Sequence, residues 1–378
     1  MGRGIMEQGG RNKKTLRIQG MNIGNGAPVR VESMLKSPLN EEAEAFEEMD
    51  KLEAVGCELV RVAFPSSDLA PDLSKLLKRT NIPVMADVHF DFDLAIEAIR
   101  CGSKSVRINP GNMEDKKGLR ELVHMASKEG VVLRIGANSG SLPERHLKRC
   151  EGDSGAALAE AVADQVKVME QEGFTDIILS AKSTSLQDTV RSNLMLAERF
   201  SYPLHVGITE AGPGRWGIVK SSCGLTQILS QGVGDTLRVS LTGPSTEEVL
   251  VGQAVLQHLG VRRFRADLVS CPTCGRKRVD VERLVRLVEP HMDRFPKNWT
   301  VAVMGCEVNG PREAAHADFG IAGTASGVAV FRYGRIVERW DADQAEERLS
   351  SFIESWLDNK ILPPRAGYED GPKGRSEG

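Results

Sequence analysis

The sequence predicts an α/β protein, a (β/α)8 barrel followed by a smaller α+β domain, and two observations predict it. From residue 29 onward, eight short runs rich in β-branched residues alternate with amphipathic segments of helical period. Helix-ending glycines recur before the next strand, at Gly56, Gly102, Gly130, Gly173, Gly234 and Gly260. Past Gly260 the alternation stops, and strands and helices follow one another irregularly.

The predicted barrel strands span 29–34, 58–64, 83–90, 105–109, 131–138, 176–180, 203–209 and 235–241. Helices at 41–55, 156–172 and 186–200 lie between them, and one at 246–259 closes the set. Consecutive strand–helix units imply a parallel sheet with helices outside, and eight is the number that closes a barrel. A doubly wound open sheet is the alternative. Beyond a short junction at 261–267, a strand leads into Cys271-Pro-Thr-Cys274, and a helix runs over 280–295. A strand at 299–307 then delivers Cys306, followed by a hairpin-like stretch at 327–340 and a helix at 342–359. The expected organisation is a disordered N-terminus at 1–15, a barrel at 16–260, a second domain at 261–362 and a disordered tail at 363–378.

Of the 378 residues, 40% are apolar and 27% charged, which describes a soluble globular chain with ample core. A net charge of −3 gives no global attraction for nucleic acid, so any anion binding must be local. The N-terminal stretch is polar and Gly-rich, unlike a secretory signal, and Met6 stands where an acylation motif needs Ser or Thr. No apolar run approaches the roughly 20 residues of a membrane helix. Seven cysteines, an odd number, without a secretory signal point to a reducing cytoplasm rather than a disulfide framework. Cys57, Cys101, Cys150 and Cys223 are scattered singly and read as small buried apolar residues.

Cations embedded in apolar strands carry the functional signal. Arg61, Arg107, Arg134 and Arg238 interrupt Val- and Leu-rich runs, and Lys182 closes another. Burying an unpaired ion costs several kcal/mol even after relaxation, so such positions need partners. The five cations lie in five different strands, mostly toward the C-terminal ends, the face where barrel active sites sit. Glu32, Asp87 and Glu210 are acids in matching places, leaving about two positive charges over and implying an anionic ligand. Phosphate or diphosphate suits guanidinium forks best, and His89, Asn109, Asn138 and Ser240 lie beside them as further hydrogen-bonding groups. Internal ion pairing alone is the plainer reading, but it leaves two cations unmatched. Gly212-Pro-Gly214-Arg-Trp-Gly217 matches a dinucleotide fingerprint formally, yet it follows the seventh strand and no acid is placed to hold a ribose. A phosphate cradle at a helix start is the better use for it.

Cys271, Cys274 and Cys306 bring three thiols toward one centre, with a fourth ligand to come from elsewhere. Spacing leaves zinc, with His316 as fourth ligand, and an iron–sulfur cluster equally open.

These segments together resemble the bacterial 4-hydroxy-3-methylbut-2-enyl diphosphate synthase family over roughly residues 16–356. The resemblance rests on Ala-Asp87-Val-His89-Phe, Arg107-Ile-Asn109-Pro-Gly-Asn, Arg134-Ile-Gly-Ala-Asn138-Ser-Gly-Ser-Leu, Gly-Ile-Thr-Glu210-Ala-Gly and Gly-Asp-Thr-Leu-Arg238-Val-Ser240-Leu. Cys271-Pro-Thr-Cys274 and Gly-Cys306-Glu-Val-Asn-Gly-Pro complete it. It implies a [4Fe-4S] cluster on Cys271, Cys274, Cys306 and Glu313, reductive opening of 2-C-methyl-D-erythritol 2,4-cyclodiphosphate, and Glu210 as the acid–base residue. It further implies electrons from a ferredoxin or flavodoxin, and a homodimer. Arg61, Asp87, His89, Arg107, Asn109, Arg134, Asn138, Lys182, Arg238 and Ser240 would bind the substrate. Three positions depart from the family pattern: Arg312 replaces glycine before Glu313, Leu35 stands where threonine is common, and Pro213 where glycine is usual. The chain lacks the large domain that plant-type relatives insert. A phosphate-binding barrel with a structural zinc site, or a cluster enzyme acting on a related diphosphate, are the alternatives.

Overall fold

The computed structural model describes residues 13–89, 91–108, 115–306, 316–333, 335–341 and 344–358. Two compact units divide the chain, one ending at Arg262 and the other starting at Arg263.

The first unit opens with a hairpin, β1 (Leu16–Ile18) and β2 (Met21–Ile23), paired antiparallel. Its two-residue turn, Gln19-Gly20, has φ of 44° and 88°. Positive φ at both central residues matches the right-handed twist of the flanking strands. Leu16, Ile18 and Ile23 pack on Val132 and Ile178, which lie at the N-terminal ends of two barrel strands. The hairpin was not foreseen, although alternating apolar residues around a Gln-Gly pair were its readable signal. Just before it, Lys13 reaches Asp235 at 2.9 Å and Lys14 reaches Asp176 at 2.6 Å.

Eight parallel strands follow: β3 (Arg30–Met34), β4 (Leu59–Ala63), β5 (Val84–Asp87), β6 (Ser105–Ile108), β7 (Val132–Asn138), β8 (Ile177–Lys182), β9 (His205–Val206) and β11 (Thr236–Leu237). Each lies beside its sequence neighbour, β11 returns to β3, and β8 meets the start of β9 through a parallel bridge, Leu179 to Leu204. This ring is the (β/α)8 barrel, and the open sheet is set aside. A short parallel pair, β10 (Gly212–Pro213) with β12 (Leu241–Thr242), adds to it beyond the last two barrel strands.

The connecting helices start where side chains can accept orphan N–H groups. Asp91 caps Phe92–Arg100, Asp115 caps Lys116–Glu129, Asp153 caps Ser154–Gln171 and Ser185 caps Leu186–Arg199. In Ser154–Gln171, Leu158, Val162, Val166 and Met169 are buried, a helical stripe facing β7 and β8.

The second unit holds a five-stranded sheet ordered β13 (Asp267–Ser270), β14 (Thr300–Met304), β15 (Phe319–Gly323), β16 (Gly327–Arg332) and β17 (Arg335–Asp341). The first three strands are parallel and the last two add antiparallel. The helix expected over 280–295 covers only Val281–Val288 and passes into a 3-10 turn at Glu289–His291. Pro290 explains the break: it has no N–H to continue the ladder. Phe295 stacks between Trp299 and Phe319, with ring centroids 6.1 and 5.9 Å apart, and this aromatic row anchors the helices on the sheet.

Candidate functional site

Successive strand residues alternate between the barrel interior and the helix layer, so every second residue lines one shared space. In this barrel that space is charged. Arg61, Arg107, Arg134, Lys182 and Arg238 line one cavity together with Gly136, Asn138, Ser180, Thr209 and Ser240. Lys182 and Asn138 end β8 and β7, and Arg238 and Ser240 lie just beyond β11, placing the cavity toward the C-terminal ends of the strands. Gly136 keeps the wall thin. A Cβ there would lie 2.3 Å from the Ser180 carbonyl oxygen, so only glycine lets β7 and β8 approach this closely.

Three carboxylates hold the four arginines. Arg134 Nη1 meets Glu32 Oε2 at 2.5 Å, with the arginine only 1% exposed. Arg107 Nη1 meets Asp87 Oδ1 at 3.2 Å, and Arg61 Nε lies 3.5 Å from Asp87 Oδ2. Burial alone would raise the Asp87 carboxyl, but Arg61, His89 and Arg107 together hold it well below the usual carboxylate range. Arg238 is gripped by Glu248, which rises from the helix Ser245–His258 and is completely buried. Glu248 also accepts from Ser33 Oγ at 3.0 Å and from the Leu241 N–H at 3.0 Å. Sequence reasoning missed it, and an acid in the first turn of an otherwise apolar helix is the signal that could have found it.

Among the described residues, four guanidinium groups and Lys182 face three carboxylates here, Glu32, Asp87 and Glu248. Among the described residues, Arg134 Nη2 and Glu32 Oε1 are buried without a hydrogen-bond partner. A guanidinium nitrogen in that position has donor capacity for a ligand.

Behind Lys182 stands His205, also unforeseen, with Nε2 2.7 Å from Lys182 Nζ. Burial, then Arg134, pushes both side chains well below their ordinary ranges.

The remaining expected site residues are spread more widely. His89 is exposed and lies beside Arg107, 2.7 Å from Nε2 to Nη1. Glu210 is exposed, with φ of 50°, and follows Thr209, which lines the cavity. Asn109, Arg312 and Glu313 lie outside the described residues. Leu35 is buried, its N–H bonded to the Arg61 carbonyl at 2.9 Å, and Pro213 pairs with Thr242. In the glycine-rich segment, Gly212 and Gly214 have φ of 106° and 47°, and a Cβ on Gly217 would lie 2.3 Å from the Gly212 carbonyl. Those glycines are required by backbone shape at the start of the helix Gly214–Leu229.

In the second unit, Cys271 follows β13 and Cys306 follows β14, two neighbouring parallel strands. The Cys271 N–H bonds Val303 O at 3.0 Å, and Arg278 N–H bonds Gly305 O at 2.8 Å, tying the cysteine turn to the end of β14. Cys271 Sγ accepts the Thr273 N–H at 3.4 Å. A backbone N–H bond from Arg276 lowers the Cys274 thiol, which is exposed. Cys306 is buried, and His316 is exposed. Among the described residues no three His, Cys, Asp or Glu side chains close on a single ion. Three thiols, two of them accepting backbone N–H bonds, are a donor set that fits an iron–sulfur cluster.

The chain matches the GcpE TIM-barrel domain over residues 13–253 and the GcpE protein C-terminal domain over residues 267–355. It is 38% identical to 4-hydroxy-3-methylbut-2-en-1-yl diphosphate synthase (flavodoxin) of Clostridium acetobutylicum, over 90% of this chain and 98% of that protein. The like-named protein of Caldicellulosiruptor saccharolyticus is 40% identical over 90% of this chain and 98% of its own length. That of Thermotoga petrophila is 37% identical over 92% and 98%.

Proposed function

The chain belongs to the GcpE family, and from that premise we propose that it converts 2-C-methyl-D-erythritol 2,4-cyclodiphosphate to 4-hydroxy-3-methylbut-2-enyl diphosphate, an isoprenoid precursor. The observation that carries this reading is the convergence of Arg61, Arg107, Arg134, Lys182 and Arg238 on one cavity. A diphosphate supplies the charged, multidentate acceptors that several guanidinium groups match.

The reaction consumes two electrons, breaks the bond between a ring carbon and a phosphate oxygen, and releases a hydroxyl as water. In this reading the arginines hold the diphosphate while it gains its free phosphate end. Asn138 and Ser240, on the same cavity wall, orient it by hydrogen bonds. Asn109 would join them. Glu210, beside the cavity-lining Thr209, is the proposed acid–base residue that gives the departing hydroxyl its proton. Asp87 and His89 position Arg107. Cys271, Cys274, Cys306 and Glu313 would hold a [4Fe-4S] cluster, which supplies electrons singly and a Lewis-acid iron when bound. Glutamate is a harder and more readily exchanged ligand for iron than thiolate, so Glu313 would be the replaceable ligand of that set. The relatives' names support flavodoxin as electron donor, with ferredoxin as the other candidate. We also propose a homodimer acting in the cytoplasm.

Turnover tests this. Anaerobically purified, brown protein given the cyclodiphosphate and a chemical reductant should yield the linear diphosphate, identified by mass spectrometry. Colourless protein that carries zinc after anaerobic reconstitution, or brown protein that leaves the cyclodiphosphate intact, would overturn the reading.

A further inference from the structure

Lys182 Nζ lies 2.7 Å from His205 Nε2, and the other ring nitrogen, Nδ1, lies 2.8 Å from Thr236 Oγ1 and 3.5 Å from Glu32 Oε2. His205 is fully buried, while Lys182 forms part of the cavity wall. Two nitrogens at that distance share one hydrogen. If Lys182 is an ammonium, it donates to a lone pair on Nε2, and the ring hydrogen must sit on Nδ1, facing Thr236 and Glu32. If Lys182 is an amine, its lone pair can accept from Nε2–H, with Nδ1 accepting the Thr236 hydroxyl, or it can donate an N–H to Nε2 with the ring hydrogen on Nδ1. A doubly protonated pair would set N–H groups head to head. The contact therefore carries at most one positive charge, and a ring hydrogen on Nε2 is compatible only with an uncharged Lys182.

The charges facing this pair are Arg134 from β7, Arg61 from β4, Arg238 beyond β11 and Glu32 from β3. Arg134 is paired with Glu32, Arg61 shares Asp87 with Arg107, and Arg238 is held by Glu248, so four guanidinium groups stand against three carboxylates, an excess that disfavours a further cation, in keeping with the depressed pKa of both partners. An entering dianion reverses that balance.

We propose that the Lys182–His205 pair is uncharged before ligand binding and takes up one proton from solvent when the cyclic diphosphate enters, Lys182 becoming an ammonium that donates to the anion while the His205 ring changes tautomer. This assigns His205 a positioning role: by switching the ring atom that bears hydrogen, it lets Lys182 hold either charge inside a closed barrel. It rests on the reading that this cavity binds the cyclodiphosphate. That ligand has one strongly acidic hydroxyl on each phosphorus, so it is fully ionised near neutrality and brings no proton of its own.

The test is calorimetric titration of the anaerobic holoenzyme with 2-C-methyl-D-erythritol 2,4-cyclodiphosphate at one pH, in buffers of different ionisation enthalpy. The observed heat should vary linearly with buffer ionisation enthalpy, with uptake of about one proton per ligand, and affinity should fall about tenfold per unit rise in pH. Nitrogen-15 spectra of the His205 ring should move from the Nε2–H to the Nδ1–H form on ligand addition. Binding without buffer dependence overturns the proton uptake, an unchanged ring tautomer overturns the role of His205 in it, and either leaves the substrate reading standing. No binding at all overturns both.

Discussion

Arg238 and Glu248 meet side by side: Nε lies 3.2 Å from Oε2, and Nη2 lies 3.2 and 3.1 Å from Oε1 and Oε2. The cation beyond the last barrel strand is thus aimed by the helix that follows it. Glu248 further ties in Ser33 and Lys36, so one buried carboxylate joins the first and last strand–helix units around the closure of the barrel.

Glu248→Gln should therefore act on stability, whereas Glu210→Gln should act on chemistry. Removing one charge of a buried pair costs about 3–5 kcal/mol, while an exposed position shifts stability by less than about 0.5 kcal/mol. Urea unfolding and single-turnover rates, measured on both variants, should separate the two. A Glu210→Gln variant with normal turnover would remove Glu210 from the chemistry.

Arg134→Ala removes a ligand contact and also strands Glu32 in the barrel. Loss of the contact should weaken substrate binding by about 2–5 kcal/mol. The uncompensated carboxylate should cost about 3–5 kcal/mol of stability. Adding Glu32→Gln to Arg134→Met should restore most of the stability and none of the affinity. Recovery of affinity in that double variant, read by calorimetry, would show that Arg134 serves the fold alone.

Lys182 makes the ligand-free protein more stable as pH rises. Its pKa is lower in the fold than the value near 10.4 of an unfolded chain, so between the two the unfolded state holds a proton that the folded state lacks. Stability from this group is lost as pH falls below the unfolded pKa and regained on the way up, by at most about 1.4 kcal/mol per pH unit. Lys182→Met should flatten that slope in urea unfolding between pH 7 and 9. Equal slopes would mean that Lys182 is charged in the fold.

Gly136→Ala should disturb the cavity wall without altering charge. Its Cβ would meet the Ser180 carbonyl at 2.3 Å, an overpacking that costs about 1–3 kcal/mol. Thermal unfolding checks it, and an unchanged midpoint would mean that β7 and β8 can separate there freely.

Cys306→Ala should lose the cluster, whereas Glu313→Ala should assemble one on three thiolates and lose turnover. Iron and sulfide per chain, measured beside activity, distinguish them. Equal iron content and equal activity in both would refute the ligand assignment.

By itself the sequence determined the eight strand–helix units, because a two-residue and a 3.6-residue apolar period leave different traces along a chain. It also determined that Arg61, Arg107, Arg134, Lys182 and Arg238 need partners, since the desolvation cost of a cation in an apolar strand is a local property. The family motifs were legible for the same reason, being contiguous. Partner choice was not. Glu32 and Arg134 are 102 residues apart and meet only because barrel closure brings β3 and β7 to face one another across the interior. Glu248 belongs to a helix whose inward face depends on how it packs, and His205 reads as an ordinary strand residue until Lys182 is placed against it. The β1–β2 hairpin leaves only a short signal, alternating apolar residues around Gln19-Gly20, and packing on Val132 and Ile178 is what holds its three-residue strands. Chain-local chemistry fixes which groups must be satisfied. Only the closed ring, with its register and its inward alternation, decides which group satisfies which.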